Sequence, residues 1–151
     1  IIVGDAQGRE KYKMRLIKLA ESLNVQSRIK FIDHTRDMPA FLMLSDVVLS
    51  CSVKPEAFGR TVLEAQAMGR PVIAFNHGGS VELVEDNENG ILTEVGNIKN
   101  LANDLTKAMT FSQSKRKRIA EFSISNVKKN YLTEIMCEKT IALYKSLIKK
   151  K

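Results

Sequence analysis

Residues 50–79 read S-C-S-V-K-P-E-A-F-G-R-T-V-L-E-A-Q-A-M-G-R-P-V-I-A-F-N-H-G-G, and the fold of this chain is decided in that stretch. The apolar run Val47-Val48-Leu49 leads into it and predicts a strand over 46–50, buried on both faces. Gly59 and Gly69 bracket a helical pattern over 59–68, with Gly69 at the left-handed stop position. Arg70-Pro71 then leads into a four-residue apolar strand, 72–75, and His77-Gly78-Gly79 turns the chain again. Strand, loop, helix and strand in that order make a crossover between parallel strands. In parallel sheets ligands bind beyond the carboxyl ends of the strands, and the loop carrying Glu56 lies there.

The same alternation continues outward. Residues 1–3 end a strand, Gly4-Asp5 breaks it, and 9–23 predicts an amphipathic helix with Leu16, Leu19, Ala20 and Leu23 on one stripe. A second strand is expected at 29–32. Asp37 can cap a short helix opening on Met38-Pro39, with Phe41, Leu42 and Leu44 as its apolar face. Beyond the Gly-Gly turn, Ser80 can cap a short helix through Val84, residues 90–93 form a fifth strand, and Asn97 caps a helix reaching about Phe111. Two further helices are expected near 115–122 and over 127–149, the second with Tyr131, Ile135, Leu143 and Ile148 on an apolar stripe. The expected class is α/β: a parallel sheet with helices on both faces, in one domain over 1–151.

Composition fits that class. The hydrophobic fraction is 44% and the charged fraction 27%, as in a globular chain. No run of about 18 apolar residues is present, so no membrane-spanning helix is expected. Ile1-Ile2-Val3-Gly4 has no basic n-region or long apolar stretch, so no signal peptide is expected there. Cys51 and Cys137 make neither a disulfide framework nor a four-ligand metal site, which reads as a cytoplasmic location. His34 and His77 lack paired ligand spacing, so no metal is expected; each reads as a loop or turn residue. The six methionines read as core filler, and Cys51 as a small buried residue.

The net charge of +7 is uneven. Residues 1–106 hold 12 Lys/Arg against 14 Asp/Glu, whereas 107–151 hold 12 against 3. Lys115-Arg116-Lys117-Arg118 and Lys149-Lys150-Lys151 concentrate the excess. One reading is peripheral contact with an anionic membrane, at its inner face; the other is a solvated helix face. No aromatic interleaving or reading motif accompanies these cations, so nucleic acid is not an expected partner.

Within residues 50–79 the start of the helix presents N–H groups of Phe58, Gly59, Arg60 and Thr61, suited to a phosphate or a sugar oxygen. Glu56 and Glu64 are eight residues apart, about 80° out of register on one helix. That spacing puts Glu56 in the loop and Glu64 a turn or more inside the helix. Carboxylates accept paired hydrogen bonds from vicinal hydroxyls, the chemistry of a sugar or ribose. Two glutamates alone fit a helix start and a surface position equally well.

The flanks change the weighting. Glu56, seven residues and Glu64, then a small-residue helix, Gly69-Arg70-Pro71-Val72 and Gly78-Gly79-Ser80-Val81-Glu82, resemble the C-terminal nucleotide-sugar-binding domain of family-four glycosyltransferases, the retaining two-domain GT-B type. Val3-Gly4-Asp5, Arg28-Ile29-Lys30-Phe31, Asp46-Val47-Val48-Leu49 and Asn89-Gly90-Ile91-Leu92 extend the resemblance over nearly the whole chain. It implies a Rossmann-like half of a GT-B enzyme, transferring a hexosyl group from a nucleotide-diphosphate sugar to a glycan or lipid-linked acceptor. Retention of anomeric configuration, independence of metal, and a place in polysaccharide or lipopolysaccharide biosynthesis come with it. No cofactor beyond the UDP- or GDP-sugar substrate is implied.

By the same resemblance Glu56 holds hydroxyls of the donor sugar and Glu64 accepts from the ribose. Ala57 and the backbone of Phe58, Gly59, Arg60 and Thr61 cradle sugar and diphosphate, while Phe31, Ile32 and Asp33 seat the base. Gly4 sits at the first strand end, facing the same cleft. The family opens this domain with an earlier strand, a Gly-rich turn and a basic pair, which would precede Ile1, and it has an acceptor-binding N-terminal domain. The expectation is a fragment truncated at its N-terminal edge, inactive by itself, whose last helix crosses toward the N-terminal domain. Arg60 can supply the diphosphate's positive charge or face outward structurally. The alternatives are a GT-B nucleotide-sugar epimerase and a non-catalytic nucleotide-sugar-binding module.

Overall fold

The computed structural model describes residues 1–148, so the Lys149-Lys150-Lys151 tail and the end of the helix expected over 127–149 lie outside the described residues. The chain divides into two compact units, Ile1–Met38 and Pro39–Lys151.

The first unit is a single βαβ crossover. Strand β1 (Ile2–Val3) pairs in parallel with β2 (Phe31–Ile32), with Ile2 opposite Phe31 and Val3 opposite Ile32. Helix α1 (Glu10–Ser22) connects them through a 3-10 turn at Gln26–Arg28, which takes Ile29 out of the expected strand. Asn24 stops α1 in the left-handed region at φ 54°, where a short polar side chain is tolerated. Of the stripe expected on α1, Ala20 is buried and Leu16 half-buried, but Leu19 and Leu23 are exposed. The face turned inward runs through Lys13, Leu16, Ile17 and Ala20 instead, the i, i+3, i+4, i+7 pattern of one helix side.

The second unit is a three-stranded parallel sheet in the order β3 (Val48–Ser50), β4 (Val72–Phe75), β5 (Gly90–Thr93). All four residues of central β4 are buried. Its alternation assigns the two faces. Val72 and Ala74 join Leu42, Val62, Ala65, Leu83 and Val84 on one side, whereas Ile73 joins Ile91 and Ala108 on the other. Helices α3 (Arg60–Ala67) and α4 (Ser80–Leu83) therefore cover the first face and α5 (Ile98–Met109) the second. This is the expected α/β class, with parallel strands and helices on both faces. Leu49 is 44% exposed, against the expectation that β3 is buried on both faces, because β3 pairs only with β4 among the described residues.

Gly69 ends α3 as expected, at φ +66°, and a Cβ there would lie 2.9 Å from the Ala120 Cβ. It serves both the left-handed stop and the close approach of α6 (Gln113–Asn130). Asn97 caps α5, its Oδ1 accepting from the Asn100 N–H at 3.0 Å. Ser80 does not cap α4: Gly79 stands at that position, and Ser80 is the first helical residue and is buried. Helix α2 (Met38–Leu44) buries Leu42, but Leu44 is 77% exposed.

The two C-terminal helices divide elsewhere than expected. Helix α6 runs unbroken through 123–126, because Ile119, Ser123 and Val127 form one buried face at four-residue spacing; packing overrides the low helix propensity of Ser and Asn. The break falls at Tyr131, and α7 (Thr133–Ile148) follows with no buried residue. Met68 packs half-buried against the first core cluster, as expected of core filler, whereas Met14, Met43, Met109 and Met136 are exposed and do not fit that reading. Among the described residues no helix is long and apolar enough to cross a membrane.

Candidate functional site

The end of β3 and the end of β4 both open onto the loop that carries Glu56. After Phe75, the Asn76 N–H donates to the Thr93 carbonyl at 2.8 Å and closes the sheet. The chain then turns through Gly78 at φ +56°. A Cβ on Gly78 would lie 2.6 Å from the Glu56 carbonyl oxygen, and one on Gly79 would overlap the Phe58 carbonyl. The Gly79 N–H donates to the Glu56 carbonyl at 2.8 Å. Two residues without side chains thus let the turn lie flat on the backbone of residues 56–58 and grip it. His77 adds a third tie, its Nε2 donating to the Ser52 carbonyl at 2.8 Å; a carbonyl only accepts, which fixes the proton on that nitrogen.

The loop is held by its backbone while the Glu56 side chain faces solvent, with no hydrogen bond or ion pair among the described residues. Ala57 is exposed too, and Phe58 is half-exposed, its ring edge-on to Tyr131 at 6.4 Å. Gly59 is buried in the left-handed region, φ 88°, as the residue before α3 rather than its first residue. The first-turn N–H groups that follow, from Arg60 and Thr61 on, have no intrahelical acceptor and carry the positive end of the helix dipole.

Glu64 lies one turn inside α3. Its Oε1 accepts from the Arg60 Nη2 at 3.0 Å, an i,i+4 pair with side-chain exposures of 84% for Arg60 and 41% for Glu64. Arg60 therefore faces outward and is engaged with Glu64. Glu64 lines a groove of about 620 Å³ with Phe58, Arg60 and Leu63 on one side and Tyr131, Leu132 and Met136 on the other. Glu56 does not line it.

The remaining expected residues belong to the first unit. Gly4, at φ +133° with open space where a Cβ would be, and Phe31 line a hollow of about 190 Å³ with Asp5, Arg9, Tyr12 and Lys13. Ile32 is half-buried, and its carbonyl accepts from the Gly4 N–H at 2.9 Å. Asp33 is mostly exposed and pairs with the Lys13 ammonium at 3.2 Å.

Cys51 follows β3 half-buried, and burial pushes its thiol pKa above the usual value, so it is poorly suited to act as a nucleophile. Among the described residues no group of three or more His, Cys, Asp or Glu is placed to hold a metal ion.

Two residues with no individual role assigned from sequence sit behind this site. Gln66 and Asn89 are both fully buried, and both donate side-chain N–H groups to the Leu83 carbonyl, at 2.9 and 3.1 Å. The signal for Gln66 was available: it lies on the face of Val62, Ala65 and Gly69, a polar amide on an apolar stripe.

The sequence profile of Glycosyl transferases group 1 matches residues 1–125. The chain belongs to that family. Among curated group 1 relatives, the lipopolysaccharide core biosynthesis glycosyltransferase LpsE of Rhizobium meliloti is 32% identical over 121 residues, covering 80% of this chain and 34% of LpsE. A glycosyltransferase from Rickettsia africae ESF-5 superposes with a TM-score of 0.93 at 32% identity, over 99% of this chain and 40% of the other. Anabaena Alr3699/HepE, solved with UDP, superposes with a TM-score of 0.90 at 31% identity over 95% of this chain and 40% of that one; a UDP-glucose complex of the same protein is also known. These neighbours are GT-B glycosyltransferases, and this α/β chain superposes on two-fifths of each. The chain spans between a third and two-fifths of the length of these relatives.

Proposed function

We propose that this chain binds the nucleotide-diphosphate-sugar donor of a glycosyltransferase. Glu56 holds hydroxyls of the sugar, the N–H groups of residues 58–61 take the diphosphate, and Glu64 accepts from the ribose hydroxyls once ligand displaces its Arg60 partner. Gly4 and the backbone of Phe31, Ile32 and Asp33 are proposed, for the first unit, as base-binding elements. One observation carries the reading: the Gly78-Gly79 turn grips the Glu56 loop immediately ahead of the first turn of α3. The backbone that carries a free carboxylate, at Glu56, is thereby held directly ahead of the N–H donors of residues 58–61. The UDP-glucose complex of the Anabaena relative supports the ligand class.

The chemistry follows from charge. As the anomeric carbon becomes oxocarbenium-like, the leaving diphosphate gains negative charge, which N–H groups held at the start of α3 stabilise with little reorganisation. Glu56 supplies orientation. Transfer would move a hexosyl group, with retention and without metal, to a glycan or lipid-linked acceptor. A calorimetric panel of UDP-, GDP- and ADP-glucose on the 151-residue chain tests the donor reading. Heat from UDP-glucose is the expected result; silence from all three would overturn it.

A further inference from the structure

We propose that Gln66 is a positioning residue for the Glu56 loop: its buried amide fixes α4 through the Leu83 carbonyl, and α4 fixes the Gly79 N–H that holds the Glu56 carbonyl. Four residues make α4 too short to hold its own place, since helix nucleation is costly and one turn returns few hydrogen bonds. Burial of Ser80 and Leu83 holds it against the core, and hydrogen bonds at its two ends set its position. At the C-terminal end the Leu83 carbonyl takes two amide donors, Gln66 Nε2 at 2.9 Å and Asn89 Nδ2 at 3.1 Å. At the N-terminal end the Gly79 N–H reaches Glu56. The turn of helix between them is about 6 Å long, so a shift at Leu83 is carried to the loop.

Core filling does not explain an amide at this position. Gln66 is fully buried and its Oε1 has no partner, so a residue such as Met would fill the same volume without stranding a polar atom. What Gln adds is a directional bond to one carbonyl, and buried polar contacts of this kind specify a unique arrangement. Gln66 touches no expected ligand group; it acts through α4.

The test is amide hydrogen exchange followed by NMR on the 151-residue chain. In Gln66→Met the Gly79 amide should exchange roughly threefold to tenfold faster, the worth of one buried hydrogen bond. The Asn76 amide, bonded to the Thr93 carbonyl in the sheet, should keep its rate. Ile119→Val, a core change on α6, should move both amides together or neither. If Gly79 in Gln66→Met is unchanged, or moves only in step with Asn76, the proposal is overturned. Should Gln66→Met fail to fold, Gln66→Glu takes its place. Its neutral carboxyl donates to Leu83 at low pH and its ionised form cannot, so Gly79 exchange corrected for intrinsic rate must accelerate as pH rises through the burial-raised pKa; a flat profile overturns the proposal. The ligand arm rests on the donor reading given above. UDP-glucose should bind the variant several-fold more weakly, with UDP spared, and an unchanged Kd for UDP-glucose overturns the positioning role. If the wild-type chain binds no nucleotide-sugar, the donor reading fails while the Gly79 exchange still decides the role of Gln66.

Discussion

A methyl group added at residue 78 would come within 2.6 Å of the Glu56 carbonyl oxygen, and one at residue 79 would overlap the Phe58 carbonyl. Glycine is therefore required twice in succession by the approach of one backbone to another, and that approach holds the Glu56 backbone. With its backbone held and its side chain exposed, Glu56→Ala should leave the fold intact. It should weaken UDP-glucose while sparing UDP, by about 0.5–1.5 kcal/mol for a lost hydrogen bond and more where the carboxylate is charged. Glu64→Ala should weaken both ligands. Titration calorimetry with the two ligands checks the pair, and equal losses for Glu56→Ala would remove its role at the sugar. Cys51 and Cys137 differ for a separate reason. Burial raises the Cys51 thiol pKa, and thiolate is the reacting form. At neutral pH iodoacetamide should label exposed Cys137 well before Cys51, with Cys51 catching up as pH rises; peptide mass spectrometry reads both sites.

Arg116 shows how an element can be fixed by one side chain. Its guanidinium donates to the Phe111, Ala108 and Met109 carbonyls at the end of α5, and its Nη1 donates to the Asp46 carbonyl at 3.0 Å, ahead of β3. The last carbonyls of a helix have no internal donor, and this one cation answers them while tying α6 to the sheet. Arg116→Met should cost about 3 kcal/mol, since hydrogen bonds to charged groups are the stronger kind. Its neighbour Lys117, an exposed i,i+4 partner of Glu121, should cost under about 0.5 kcal/mol on replacement by Ala. Urea unfolding of the two variants separates the cases. The last two helices make a similar contrast. Ile119 on α6 is fully buried, whereas Leu147 on α7 is 57% exposed. Ile119→Ala should lose about 2–5 kcal/mol, and Leu147→Ala less than about 0.5 kcal/mol. A large loss at Leu147 would show that α7 packs against something in solution.

At the scale of the molecule, the basic excess after residue 106 proves less available than its count suggests. Arg116 is engaged with carbonyls, Lys115 lies over the Phe111 ring at 4.3 Å, Lys117 pairs with Glu121, and Arg118 reaches Glu88 at 3.9 Å. Lys128, Lys129, Lys139 and Lys145 lie on exposed stretches of α6 and α7. Membrane contact therefore remains a proposal carried by a few scattered cations, each worth about 1 kcal/mol near an anionic surface and screened beyond about 8 Å at physiological salt. Co-sedimentation with anionic vesicles should be seen at low ionic strength and lost at physiological salt. Retention at the higher salt would point to a built lipid site instead. The chain spans 34% of LpsE and 40% of the Rickettsia structure; that the 151-residue chain alone transfers no sugar is a proposal, which an assay of UDP-glucose turnover checks.

Strands β4 and β5 fall at the bounds their sequence predicts, 72–75 and 90–93. Short apolar runs bounded by Pro, Gly and polar turn residues leave little alternative pairing. The stop at Gly69 and the cap at Asn97 were legible for the same reason: each is a local requirement met by one residue type. The resemblance to the family was likewise carried by local motifs, Glu56, Glu64 and the glycine pairs, and the profile match over residues 1–125 established it. Whatever depends on which surfaces meet was not legible. The inward face of α1 passes through Lys13 rather than Leu19, α6 continues through a serine-rich stretch because α3 packs on it, and Arg116 is a clamp rather than a solvated charge. Gln66 and Glu64 lie two residues apart on the same helix; the apolar face of α3 signals that Gln66 is buried, but its hydrogen-bond partner, the Leu83 carbonyl 17 residues on and shared with Asn89, exists only in the folded chain. Secondary structure obeys neighbours in sequence, whereas burial and hydrogen-bond partnership obey neighbours in space, and those exist only once the chain has folded.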